Sequence, residues 1–184
     1  MAKPHQQADE TEIFSIPEEG GLQECSFKPR AFNIIWGADN RYWVVPQKGV
    51  DAPAELVQVS WLEVTATTPP LTAGSSYEIS FEVTTRQGAF GWNGCPLYIM
   101  AKVGKAGRYT RKKISLPSPD ATKTTTVPPE NSFTVQVPAG RQGDASRIHF
   151  GLYEVWTGRW KGGLQIHEAR VKKLGKPTQA ETNN

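Results

Sequence analysis

The chain has 184 residues, of which 38% are hydrophobic and 21% charged, so it is long enough for one domain with a sizeable core. No apolar run approaches the ~20 residues of a membrane span, and residues 1–7 lack the apolar stretch of a secretory signal, so we expect a cytoplasmic protein without membrane insertion. The net charge is +3, and the two cysteines, Cys25 and Cys95, are too few for a disulfide framework or a zinc site.

The first predicted element is an N-terminal arm. Residues 1–26 contain six acidic residues and one lysine among few apolar side chains, which predicts a disordered acidic arm. Cys25 lies at the edge of this arm, so we expect an exposed thiol. The polar residues 174–184 predict a flexible C-terminal tail, which leaves residues 27–173 as one folded domain.

Short segments of alternating polarity follow one another through the folded domain. Strands are predicted, in chain order, at residues 32–36, 41–46, 56–65, 77–84, 97–103, 108–116, 133–137, 148–152 and 164–171. Fourteen Pro and 17 Gly separate them, and no segment keeps helical spacing for three turns. This pattern predicts an all-β protein, a β-sandwich or jelly roll.

Six tryptophans accompany these strands in three pairs. The pairs are Trp36 with Trp43, Trp61 with Trp92, and Trp156 with Trp160. Several lie among amide, carboxylate and glycine residues, as in the segment 35–43. Flat rings beside hydrogen-bonding groups suit a ligand with one apolar face and a polar rim, such as a sugar or a nucleobase.

The tryptophans differ in their predicted roles. Trp61 lies within an alternating apolar strand, which predicts a core position. Trp43 follows a polar turn, and Trp92 lies between glycines beside Asn93, so both are candidate ligand contacts. Trp36 fits either ligand contact or packing. Glu154 shares the register of apolar inward-facing residues, so it either ends the buried stretch or accepts hydrogen bonds from a ligand.

A cluster of positive charge without any acid lies between residues 102 and 113. Its members are Lys102, Lys105, Arg108, Arg111, Lys112 and Lys113. Outside the arm, residues 27–184 contain 20 basic and 12 acidic residues, a net charge of +8. The cluster can therefore contact RNA phosphates, or it can be the solvated side of a strand pair whose edge it protects.

Sequence patterns typical of enzymes are absent. The three histidines are His5, His149 and His167, and none has cysteines or spaced carboxylates beside it. Phosphate-binding loops, dinucleotide fingerprints and nucleophile elbows are also missing. We therefore expect a binding protein with no catalytic residues, no metal and no cofactor.

Two parts of the sequence resemble the phloem protein 2 family of plant lectins. The first is Trp36-Gly37 followed by Tyr42-Trp43, and the second comprises the segments 151–156 and 160–164. The resemblance covers residues 28–173. It is close to the cucurbit phloem lectins and more distant to the tobacco agglutinin.

The resemblance implies a jelly-roll β-sandwich, often dimeric, in the cytoplasm or phloem sap and without a signal peptide. It implies binding of chitin oligosaccharides (β-1,4-linked N-acetylglucosamine) or N-glycan cores, with Trp36, Trp43 and the carboxylate of Glu154 in the site. Lys161 stands where a second carboxylate would be expected. The predicted carbohydrate site is therefore Trp36, Trp43, Trp92, Asn93, Glu154 and Lys161.

The same family implies two alternative functions. One is an RNA-binding phloem carrier that uses the basic cluster at residues 102–113. The other is a structural component of phloem filaments, in which Cys25 forms an intermolecular disulfide with a filament protein.

Overall fold

The computed structural model describes residues 3–175, and in this range the chain forms a sandwich of two antiparallel β-sheets. The strands are β1 (Ile13–Glu18), β2 (Gly21–Phe27), β3 (Asn33–Ile34), β4 (Trp43–Val44), β5 (Ala54–Leu56), β6 (Leu62–Thr67), β7 (Ser76–Phe90), β8 (Tyr98–Val103), β9 (Thr110–Lys113), β10 (Thr125–Val127), β11 (Thr134–Gln136), β12 (Ile148–Glu154) and β13 (Gly162–Lys173). Short 3-10 turns occur at Glu10–Glu12, Pro29–Ala31 and Gly143–Ser146. The predicted all-β sandwich is confirmed. Within this range no helix is long and apolar enough to cross a membrane.

Both sheets are arranged around long central strands. The five-stranded sheet has the order β3-β6-β12-β8-β9. In the eight-stranded sheet, β13 pairs with β7 on one side and with β2 and β5 in succession on the other. Strand β1 follows β2, β4 follows β5, and both β10 and β11 pair with the free side of β7.

The core lies between the two sheets and follows from the alternation of their strands. Along β6, Leu62 and Val64 are buried while Glu63 points away from the core, because neighbouring residues of a strand face opposite sides. Phe150 of β12 contacts Phe27 of β2 at a ring distance of 5.0 Å. Burial of one such side chain stabilises the fold by about 1.5–3 kcal/mol, so the sandwich rests mainly on this interior.

The predicted disordered arm is wrong wherever the structure describes it. Strand β2 pairs with β13, and Cys25 and Phe27 of β2 are fully buried against the core. Three of the arm's acidic side chains, Asp9, Glu12 and Glu18, have partners; Glu18, for example, accepts a hydrogen bond from Lys173 at 2.7 Å. An alternating strand with one buried face has a low average hydrophobicity, which is why composition was misleading here.

Cys25 is therefore not an exposed thiol. Burial raises its pKa to about 12, which favours the protonated thiol over the reactive thiolate. The predicted intermolecular disulfide through Cys25 is wrong for the folded chain. The predicted tail lies outside the described residues, apart from Leu174 and Gly175.

The predicted strand at residues 56–65 is two strands in different sheets. Strand β5 ends at Leu56 in the larger sheet, and β6 begins at Leu62 in the smaller one. Residues 57–61 cross between the sheets, and Val59 forms an isolated β-bridge with Lys161. In the sequence, this crossing is visible as a change of alternation at Leu62, where the apolar residues move from odd to even positions. Strands β1, β2 and β10 had no counterpart among the predicted strands.

Candidate functional site

Four loops meet at one end of the sandwich. They are residues 35–42, 57–61, 91–97 and 155–161. The backbone of Val57 donates to the carbonyl of Tyr42 at 2.9 Å, and Val59 and Lys161 bond each other through their backbones. At Gly91, an added Cβ would lie 2.0 Å from the carbonyl oxygen of Trp160, so the loops approach closely there.

A small slot opens between these loops, and we call it the rim cleft. It has a volume of about 100 Å³ and is lined by Trp36, Tyr42, Val59, Ser60 and Trp160. The ring of Tyr42 lies between the two indoles, 5.5 Å from Trp36 and 6.4 Å from Trp160, in a stacked arrangement with the latter. Trp36 is 38% exposed and Trp160 53% exposed, so aromatic surface is available to a ligand.

The backbone at Trp36 has an unusual conformation that the N-terminal segment supports. Its φ of 65° is in the left-handed region, which costs a bulky residue about 1–3 kcal/mol unless its surroundings impose it. The Trp36 N–H donates to Nδ1 of His5 at 2.9 Å, and the His5 ring packs edge-on against the indole at 5.1 Å. The Ala38 N–H donates to the carbonyl of Pro4. Residues 4–5 therefore hold the turn that presents Trp36.

A second contact set shapes the other side of that turn. Asp39 accepts hydrogen bonds from the side chain of Arg41, at 2.7 Å for the shortest, and from its backbone N–H. These bonds hold the pKa of Asp39 below its usual value. The guanidinium of Arg41 lies 5.3 Å from the centre of the Tyr42 ring. The polar residues thus fix the tyrosine that forms the middle of the cleft.

A buried ion pair ties the loops around the rim cleft together. Lys161 and Glu154 are both fully buried and form a salt bridge. The Lys161 ammonium also donates to the carbonyls of Ser60 at 3.0 Å and Arg159 at 2.8 Å. Glu154 accepts from the backbone and hydroxyl of Thr157 at 3.1 and 3.0 Å.

The ionised form of Glu154 is the stable one in this setting. Burial alone would raise its pKa, but the ammonium of Lys161 and the two Thr157 donors outweigh that effect and hold the pKa below its usual value. The pair therefore links the 57–61 loop to the 155–161 loop through charged groups that a ligand does not reach.

Three residues of the predicted site are consequently wrong as direct ligand contacts. Trp43 is buried in the core beside Leu56, because β4 turns it inward and leaves Tyr42 at the surface. Glu154 and Lys161 have no exposed surface and act as supports of the cleft. Trp61, expected in the core, is instead exposed, and its Nε1 donates to Glu63 at 2.8 Å.

Trp92 and Asn93 lie in a neighbouring, wider cleft. This cleft has a volume of about 520 Å³ and is lined by residues 92–97 and 113–116. The Trp92 Nε1 donates to the Gly162 carbonyl at 3.0 Å, and Arg159 donates to the Asn93 carbonyl at 3.1 Å. The Trp92 cleft therefore adjoins the 155–161 loop that carries Trp160.

Sequence reasoning missed several residues that line or support the rim cleft. Tyr42 and Trp160 stand in aromatic segments that the sequence singles out, but adjacent aromatic residues do not reveal which one faces outward. His5 belongs to the segment that composition assigned to a disordered arm. Its contact with Trp36 joins residues 31 positions apart, and no local pattern encodes such a contact.

The basic cluster lies along one edge of the five-stranded sheet, on β8, β9 and the turn between them. Several of its cations have partners within the protein. Arg111 lies over the Tyr98 ring at 5.1 Å, Lys102 lies over the Tyr109 ring at 4.8 Å, and Lys112 donates to the Ser132 carbonyl. In the described part of the chain, no three His, Cys, Asp or Glu side chains lie close enough to share a metal ion.

Fold and cleft together define a class of protein, a β-sandwich domain with an aromatic cleft built from loops at one end. The profile of the phloem protein 2 family matches residues 23–172, and the chain belongs to this family, as the sequence resemblance predicted. It is 39% identical over 155 residues to Protein PHLOEM PROTEIN 2-LIKE A9 of Arabidopsis thaliana, covering 80% of this chain and 86% of that protein. It is 30% identical over 149 residues to Protein PHLOEM PROTEIN 2-LIKE A1 of the same plant, covering 76% of this chain and 57% of that protein.

One solved structure supports the sandwich fold. The Podospora anserina GH26-CBM35 β-(1,4)-mannanase superposes with a TM-score of 0.53 at 11% identity, over 89% of this chain and 30% of that one. At this level of identity the likeness concerns the fold alone.

Proposed function

We propose that this protein is a lectin without catalytic activity that binds chitin oligosaccharides, or the similar core of N-glycans, at the rim cleft. The observation that carries the proposal is the pair of exposed indoles, Trp36 and Trp160, on either side of Tyr42 around a slot of about 100 Å³. An indole face suits the apolar face of a sugar ring, and such stacking needs no charge.

The size of the slot favours an N-acetylated sugar. Pockets for drug-sized ligands have volumes of about 300–1,000 Å³, so the rim cleft is too small to enclose an oligosaccharide. It suits a small group such as an acetamide, with the sugar ring resting on an indole outside. The Tyr42 and Ser60 hydroxyls can each donate and accept hydrogen bonds, which is what an amide and sugar hydroxyls require.

The neighbouring Trp92 cleft gives longer ligands a place to continue. Trp92 and Asn93 remain proposed contacts for sugars beyond the first, because their cleft adjoins the loop that carries Trp160. Each added sugar contributes a modest amount of binding free energy, so the affinity should rise from the disaccharide of chitin to longer oligosaccharides. We also propose that the protein acts in phloem sap and cytoplasm as a homodimer, whose paired sites raise the avidity for glycans.

Calorimetric titration with chitotriose tests the proposal. Trp36→Ala and Trp160→Ala should each weaken binding about tenfold or more, since each removes one stacking surface. Phe14→Ala is the matched control, because Phe14 is an exposed aromatic residue of β1 that does not line the rim cleft. Equal affinities for all four proteins, or no heat with the wild type, would contradict the proposal.

RNA binding is the second candidate function. The observation that favours it is the alignment of six basic residues along one sheet edge, beside the exposed ring of Tyr109. Phosphate contacts would make the binding of poly(U) fall steeply with salt, and replacing Arg111 and Lys112 with Gln would reduce that slope. Sugar binding at the rim cleft should instead be nearly independent of salt.

A further inference from the structure

A second set of aromatic side chains lies outside the rim cleft, on the outer face of the five-stranded sheet. Glu63 of β6 pairs with Tyr153 of β12, and Tyr153 pairs with Tyr98 of β8. The residues on either side of each in sequence are buried, so these three side chains form a row on the face that points away from the core.

Two exposed tryptophans extend this row. Trp61 is 45% exposed, and its hydrogen bond to Glu63 places the indole on the outer face. Trp156 is 49% exposed, and its ring meets that of Tyr98 edge-on at 5.3 Å. We call Trp61, Glu63, Tyr98, Tyr153 and Trp156 the outer aromatic row.

The outer aromatic row is held in place before any ligand arrives. Trp61 is fixed by Glu63, Trp156 by Tyr98, and Tyr153 by an edge-on contact with Tyr109 at 6.5 Å. Fixed side chains lose little entropy on binding, which favours recognition. The row crosses three strands, a distance of about 10 Å at the usual spacing, which suits an extended chain better than a single small molecule.

The charges on this face differ between its two ends, because Glu63 lies at the Trp61 end and Lys113 pairs with Tyr98 at the other. The exposed indole of Trp61 is bonded to the carboxylate of Glu63, which repels phosphate but accepts hydrogen bonds from hydroxyl groups. The cations of the neighbouring edge, Arg111 and Lys102, lie over the rings of Tyr98 and Tyr109. A polyanion that extends to the Trp61 end would bring its charge close to Glu63, whereas a neutral sugar chain meets indole faces there with hydrogen-bonding groups between them.

We propose that the outer aromatic row is a second carbohydrate surface, which binds an extended, neutral, β-linked polysaccharide chain lying across the strands. The proposal takes its ligand class from the proposed lectin function, but it depends on residues that do not line the rim cleft. The rim cleft then binds short soluble oligomers, and the outer aromatic row adheres to the surface of a polymer.

Adsorption to chitin and cellulose particles, compared with chitotriose titration, separates the two surfaces. The double substitution Trp61→Ala with Trp156→Ala should lower the affinity for the particles about tenfold or more, and leave the affinity for chitotriose within about twofold of the wild type. Trp160→Ala should lower the affinity for chitotriose about tenfold or more and leave adsorption to cellulose, which has no acetamide for the rim cleft, within about twofold of the wild type. Phe14→Ala controls for loss of an exposed aromatic residue, and unchanged circular dichroism and melting temperature establish that each variant is folded.

Two results would overturn this proposal. The first is adsorption of the double variant equal to that of the wild type. The second is loss of salt-sensitive poly(U) binding in the double variant with particle binding unchanged, which would make the row a nucleic-acid surface. If chitotriose binds no protein but particle adsorption still depends on Trp61 and Trp156, the rim-cleft function fails and the second surface stands.

Discussion

Replacing Lys161 with methionine should destabilise the protein strongly at neutral pH. The ammonium of Lys161 is fully buried and satisfies Glu154 together with the carbonyls of Ser60 and Arg159. Without it, the carboxylate of Glu154 stays buried with only the two Thr157 donors. Breaking a buried pair by removing one partner costs about 3–5 kcal/mol, a large part of the 5–15 kcal/mol of a typical domain.

A matched double variant separates the charge from the packing. Lys161→Met combined with Glu154→Gln removes both charges at similar volume. The free energy of unfolding of this double variant should therefore fall by only about 1–2 kcal/mol, mainly because two carbonyls lose their donor. Arg41→Met removes an exposed cation paired with Asp39, and we expect little change there. Urea denaturation at pH 7 measures the free energy of unfolding for each protein.

The pH dependence of unfolding provides a second, independent test of the Glu154–Lys161 pair. In the wild type the pKa of Glu154 is lowered, so its contribution to stability is present above the unfolded pKa and is lost as the pH falls through the folded pKa. In Lys161→Met, burial is left without its opposing ammonium and raises that pKa, so protonation relieves the unpaired charge. The stability difference between the two proteins should therefore shrink from pH 7 to pH 4. The reasoning would be refuted if Lys161→Met lowered the free energy of unfolding at pH 7 by less than about 1 kcal/mol, or by no more than the double variant does.

Three further predictions concern the turns and the thiol. Gly91→Ala should lower both stability and chitotriose affinity, because the residue has a φ of 80° and its Cβ would meet the Trp160 carbonyl; Gly88→Ala, with a similar φ and open space, should lower stability alone. His5→Ala should weaken chitotriose binding severalfold with little change in melting temperature, since it frees the Trp36 turn, and unchanged affinity would contradict that role. Cys25 should react with a thiol reagent only at the rate of unfolding, and rapid labelling of the native protein would contradict its burial.

The parts of the fold that the sequence predicted well are those in which one face of a strand is buried throughout. The alternation of Tyr77, Ile79, Phe81 and Val83 identified β7 because all four are inward-facing and buried. Strands β1 and β2 escaped prediction because β1 is an edge strand with mostly exposed side chains, and its acidic residues mimic disorder. The position of β2 depends on pairing with β13, in which Cys25 lies opposite Val171, 146 residues away in sequence, and β1 pairs with β2 in turn.

The candidate site was predicted in outline but not in its contacts. Its aromatic segments were identified, since rings beside glycine and polar residues stand out in any sequence. The choice between Tyr42 and Trp43 depends on where β4 begins, and sequence patterns locate strand ends poorly. Glu154 was correctly placed in the inward-facing register. Its counter-ion Lys161 lies seven residues later, across a loop, and no strand periodicity predicts a contact of this kind.

A crystal structure of the complex with chitotriose would test the central claim most directly. Our account predicts an acetamide group in the slot between Trp36 and Trp160, with a sugar ring stacked on an exposed indole and the next sugars directed toward Trp92. A chitotriose bound elsewhere, for example in the 260 Å³ cleft that Phe14 and Lys28 line, would contradict it.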